Sequence, residues 1–162
     1  EYSSPIVKAV TFTATGGQGG TGDHYRLFKI IGGVRVEDIG GTVTTVIPAT
    51  DSQANLELTS TNATIDITAA GAGANLNSLV VGAIAIRDGD STATLDIADP
   101  DSTPAIIENT NYREPNTPII CIEDDAADTY ITLRLSAALA SGAMLWACRY
   151  TPLTADGFLE PA

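Results

Sequence analysis

The stretch Asp128-Thr129-Tyr130-Ile131-Thr132-Leu133-Arg134-Leu135 decides the fold. Thr129, Ile131, Leu133 and Leu135 fall on one side of an extended chain, and Asp128, Tyr130, Thr132 and Arg134 fall on the other. A period of two marks a strand with one face in a core and the other in water. The same alternation returns in Asn55–Thr59, Ala63–Thr68 and Ala93–Ile97. Ile6–Thr13, Tyr25–Ile31 and Val43–Ile47 add further strands. Two runs, Leu79–Ile86 and Met144–Cys148, are apolar on both sides, which predicts central strands covered on both faces. Trp146, Leu133, Ile131, Ile84, Val81 and Cys148 are therefore the expected core.

Turn signals separate these runs: Gly32-Gly33, Gly40-Gly41, Asp88-Gly89, Asp99-Pro100-Asp101, Asn116-Thr117-Pro118, Ser141-Gly142 and Asp156-Gly157. Ser136–Ala140 has room for one helical turn and no more. Many short strands with Gly and Pro punctuation predict an all-β protein: an antiparallel β-sandwich, or a jelly-roll or barrel-like domain. No linker divides the chain, so residues 1–162 read as one domain. A chain of 162 residues buries enough surface to hold a core without staples. Its ends read as extended arms, over residues 1–7 and 154–162. Tyr2, Ile6, Val7, Phe158 and Leu159 are apolar groups on segments too short to bury them alone, which makes them the candidate contact residues.

Charge narrows the partners. Eight Lys and Arg stand against 20 Asp and Glu, a formal net charge of -12. Such a field repels nucleic acid and anionic membrane surfaces, and the basic residues form no patch. No stretch has the length and apolarity of a membrane span, and Glu1–Pro5 lacks the pattern of a signal peptide. Cys121 and Cys148 sit inside apolar runs and read as small buried hydrophobes, with a disulfide between core strands as the alternative.

The chemical motifs are thin. Gly17-Gln18-Gly19-Gly20-Thr21-Gly22 fits a dinucleotide fingerprint in letters, but a strand follows it where that site needs a helix. His24 is the single histidine, beside Asp23, and no serine or cysteine stands in a nucleophile context. Asp88, Asp90, Asp99 and Asp101 are the one candidate calcium set, without EF-hand spacing; solvated turn residues are the simpler reading. Glu123, Asp124, Asp125 and Asp128 form a second acidic group, and Asn62-Ala63-Thr64 is a glycosylation sequon. The residues call for no cofactor, and no catalytic centre is expected.

The C-terminal part carries a resemblance. An alternating strand (Tyr130–Leu135) leads through a small-residue loop to Gly142, then an apolar strand (Met144–Tyr150), then Tyr150-Thr151-Pro152-Leu153-Thr154-Ala155-Asp156-Gly157. This resembles the ending of small β-rich virion proteins encoded near the major capsid gene of tailed bacteriophages. Leu27–Val36 and Thr42–Ile47 are similar to the opening strands of such proteins, while Asp88–Pro118 matches nothing in them. The resemblance implies capsid decoration: a homo-oligomer, often a trimer, bound to the major capsid protein on the outside of the virion. Two other functions fit the residues. One is an extracellular filament or tail subunit assembling by strand exchange through its N-terminal segment. The other is a carbohydrate-binding module, with or without calcium.

Overall fold

A computed structural model describes residues 4–101, 103–105 and 118–162. Their strands are β1 (Ile6–Thr11), β2 (His24–Ile31), β3 (Gly33–Thr45), β4 (Ala54–Thr59), β5 (Thr64–Asp66), β6 (Ile84–Ile86), β7 (Asp96–Ala98), β8 (Ile119–Ile122), β9 (Thr129–Leu135), β10 (Ala143–Pro152) and β11 (Phe158–Pro161). They form two antiparallel sheets. The six-stranded sheet runs β1-β10-β3-β6-β7, with β8 also paired to β3, and the five-stranded sheet runs β11-β2-β9-β4-β5. The inner faces share one core, and no ladder joins the sheets into a closed barrel among the described residues. The expected all-β class and antiparallel sandwich are what the chain adopts. Among the described residues helix is confined to two 3-10 turns, Gln18–Gly20 and Ala72–Ala74, and Ser136–Ala140 forms no helical turn.

Strand β9 shows why the sequence folds this way. Thr129, Ile131, Leu133 and Leu135 are buried and Arg134 is exposed, as the alternation requires, while Thr132 on the outward side is buried too and Tyr130 is half-buried. Each fully buried Leu or Ile contributes roughly 1.5–3 kcal/mol. Strand β2 departs from strict alternation, because Leu27 and Phe28 are both fully buried. The register against β9 skips between Arg26 and Phe28, and a bulge of this kind turns two successive side chains to the same side.

Three expectations are corrected. Gly40-Gly41 is not a turn: β3 runs through it for 13 residues. Gly41 lies opposite Trp146 in the ladder, and a Cβ built there would sit 2.7 Å from the indole carbons. The glycine exists so that the fully buried indole can lie across the strand. Second, Leu79–Ile86 is not one buried strand. Gly82 takes a left-handed φ of 94°, which breaks the run, and only Ile84–Ile86 pairs. Val81 is 56% exposed and Ile84 43% exposed, so neither is core; Ala83 and Ala85 point inward instead. Third, Met144–Cys148 is covered on one face only, because Leu145 remains 40% exposed between buried Met144 and Trp146. Trp146, Leu133, Ile131 and Cys148 are in the core as expected.

Of the segments read as arms, Ile6, Val7 and Phe158–Pro161 lie within the sheets. Ile6 and Val7 pair with Cys148 and Ala147 of β10, and β11 pairs with β2 from Phe158 to Pro161. Lys8 Nζ donates to the backbone carbonyl of Ala162, so β1 and β11 meet at one edge of the sandwich. Cys121 and Cys148 are both free and buried. They sit on β8 and β10 with β3 between, so two strand spacings of ~4.8 Å separate their backbones, beyond the reach of a disulfide. Burial pushes the Cys121 thiol up to about 11 and the Cys148 thiol higher still.

Candidate functional site

The outer face of the six-stranded sheet follows from the ladder registers, since residues directly opposite in antiparallel strands share a face. Ala9 stands opposite Leu145, Leu145 opposite Thr42, Thr42 opposite Ile84, and Ile84 opposite Ala98. The adjacent outward row is Val7, Ala147, Gly40, Ile86 and Asp96. Apart from Asp96 at its end, this surface is uncharged across five strands. Val7, Ile84 and Leu145 are 47%, 43% and 40% exposed. The charges nearest along the sheet are closed into pairs: Arg149 with Asp38 at 3.4 Å and Arg35 with Glu37 at 2.7 Å. Burial, and Asp88 close by, hold the Asp96 carboxyl above its ordinary range.

The outer face of the five-stranded sheet is the opposite in kind. One outward row is Glu160, Lys29, Tyr130, Thr59 and Thr64; another is Arg26, Thr132, Glu57 and Asp66. Lys29 pairs with Asp128 at 3.0 Å, Arg134 with Glu57 at 3.2 Å, and the Thr59 and Thr132 hydroxyls meet at 2.7 Å. The Arg26 guanidinium lies 4.0 Å over the Tyr130 ring. The Lys29 ammonium hydrogen-bonded to Asp128 holds that carboxyl below its usual range. The glycine-rich loop, with Gly19, Gly20 and Gly22 at φ near 70° (74°, 73° and 72°), walls one side, and residues 126–128 wall another. Between them lies a groove of about 780 Å³. Asp23, at its rim, accepts from Thr21 and from His24 Nδ1; these bonds, Thr21 first, pull its carboxyl down.

The candidate contact residues do not form one surface. Tyr2 lies outside the described residues. Ile6 is half-buried against the core, Val7 faces outward on the six-stranded sheet, and Phe158 is exposed on the other sheet. Leu159 is fully buried and belongs to the core, which removes it from any contact surface. The acidic loops serve the backbone. Asp90 Oδ1 accepts from the Thr92 amide at 2.8 Å and hydroxyl at 2.6 Å, and Asp99 Oδ1 accepts from the Asp101 amide at 3.2 Å. Asp88 is half-buried and Asp101 exposed. Among the described residues no three His, Cys, Asp or Glu side chains converge on a metal-sized site. Asp124 does more than solvate a turn. Its Oδ1 accepts from the Ala126 amide, and its Oδ2 accepts from Ser60 Oγ and Asn62 Nδ2, both at 2.8 Å. The Ala126 amide first, then Asn62 and Ser60, hold its carboxyl below the usual range.

The apolar outer face is what sequence reasoning missed, although its signal was present. Runs apolar on both sides were assigned to burial, and the outward members of those runs, Leu145 and Ile84, form this face. No described helix is long and apolar enough to cross a membrane. No family model, curated protein or solved structure matches the chain.

Proposed function

We propose that this chain is a non-enzymatic structural protein that docks on a protein shell through the outer face of its six-stranded sheet. On the resemblance noted above, the shell is a phage capsid, the partner is the major capsid protein, and the role is decoration of the virion exterior by a homo-oligomer. One observation carries the reading: a largely apolar surface five strands wide, with Asp96 as its single charge, on a chain of net charge -12. Contiguous apolar surface of this kind marks a contact site in soluble proteins. Uncharged side chains are also cheap to desolvate at the centre of an interface. Strand exchange through the N-terminal segment is less well supported, because β1 would first have to leave its pairing with β10.

Leu145→Glu tests the reading. Mixed with empty shells assembled from the capsid protein of the same virus, the variant is expected to bind at least about tenfold more weakly than the parent. Its unfolding free energy should stay within about 0.5 kcal/mol, since the side chain faces water in the free protein. Saturation of shells by Leu145→Glu at the parent's affinity would exclude this face.

A further inference from the structure

We propose that the groove on the five-stranded sheet binds a neutral oligosaccharide. The site is independent of the docking face, because it lies on the other side of the sandwich. Its volume, about 780 Å³, is within the range of small-molecule sites. Three carboxylates line it: Asp23, Glu57, which pairs with Arg134 at 3.2 Å, and Asp128, which pairs with Lys29 at 3.0 Å. Those carboxylates stand against an anionic ligand, and a cationic one would have to displace Arg134 or Lys29. A polyhydroxyl ligand would not.

The groups that remain are planar or hydroxylic. Asp23 occupies His24 Nδ1 and leaves Nε2 directed away from that bond. The Arg26 guanidinium is stacked on Tyr130 and makes no hydrogen bond to a carboxylate among the described residues. A planar fork of N–H donors matches two neighbouring sugar hydroxyls, each of which both accepts and donates.

Glu57 is the most telling residue. It lies on an outward row of the sheet and lines the groove, yet it is 2% exposed, while its partner Arg134 is 54% exposed. Burying a carboxylate in such a lopsided pair is a poor way to gain stability. It does set a carboxylate against the wall of a solvent-facing groove. Thr21, Thr59, Ser60 and Thr61 add hydroxyls around it. Arg26 already covers a face of Tyr130, so hydrogen bonding rather than ring stacking carries the recognition. The Asp88, Asp90, Asp99 and Asp101 loops do not line the groove, and the binding needs no calcium.

The test is an NMR titration of the full chain with malto-, cello-, manno- and chito-oligosaccharides, with polygalacturonate as the charged comparison. The expected result is saturable shifts at the amides of Thr59, Tyr130 and Thr132 with at least one neutral series. Arg26→Ala and Glu57→Gln should each weaken that binding about tenfold or more. Thr132→Val replaces Glu57→Gln if the latter does not fold. Leu145→Glu should leave saccharide binding intact, and Arg26→Ala should leave shell binding intact, so the two sites fail separately. Any of three results overturns the proposal: no saturable shift with any neutral series, binding unchanged in the groove variants, or preference for polygalacturonate.

Discussion

The outer faces of the two sheets expose strands of the same kind, five to a face along each sheet's path, and differ in what their outward positions carry. On one, a row reads Ala9, Leu145, Thr42, Ile84, Ala98; on the other, Glu160, Lys29, Tyr130, Thr59, Thr64. The first row has little to offer water. The second is stitched by ion pairs and hydroxyl contacts that water already satisfies. The inward rows of both sheets are apolar, so the inner faces give no hint of the contrast. A sandwich of this type can thus hold two surfaces of unlike chemistry while one core fixes both.

The comparison rests on which side of each strand faces inward, and the strongest way to break it is Trp146→Ala. Loss of that fully buried indole should cost about 3–5 kcal/mol in denaturant unfolding. Unchanged stability would mean that the inward and outward rows of β10 are exchanged. A smaller effect sharpens the polar side. Thr59→Val or Thr132→Val alone should cost about 0.5–1.5 kcal/mol, and the double variant should cost less than the sum, since both remove one hydroxyl contact. Additive losses would show that the two threonines do not act as a pair. The smallest effect belongs to Asp96, at the end of the apolar side. Its carboxyl titrates above its ordinary 3.8, mainly because it is desolvated. The folded state therefore favours the protonated acid, and stability falls as pH rises from the unfolded value through the raised folded one. Asp96→Asn should raise the melting temperature slightly at neutral pH and remove that part of the pH dependence. A lower melting temperature at neutral pH would reverse the sign.

Fold class was legible because β9 and β4 alternate cleanly, and period two has one structural meaning. Gly40-Gly41 reads as a turn because a glycine pair looks the same whether it turns the chain or makes room for an indole on the neighbouring strand, remote in sequence. Val81 and Ile84 were misread because hydrophobicity reports the wish to leave water, not whether anything is there to cover the residue. Arg87 could not have been found: it is 2% exposed, and burial, offset by Cys121, Asp88 and Asp90 nearby, pulls its guanidinium below the ordinary range. The groove was out of reach for a related reason. Arg26, Glu57 and Thr132 are far apart in sequence, and only strand register makes them neighbours. The apolar outer face was half-legible: Val7 reads as a contact residue, whereas Leu145 and Ile84 read as core because they belong to continuous apolar runs.

The contact between Gly41 and Trp146 bears on how this sequence can drift. Any side chain larger than hydrogen at position 41 collides with the indole, while a smaller residue at position 146 leaves a hole beneath the bare strand. The indole nitrogen is buried without a hydrogen-bond acceptor among the described residues, so the ring is held by shape and not by polarity. Each single step is therefore penalised, and only a paired change that passes volume from one strand to the other is close to neutral. Among descendants of this chain, the two positions should covary in size, as a lock and its key are recut together.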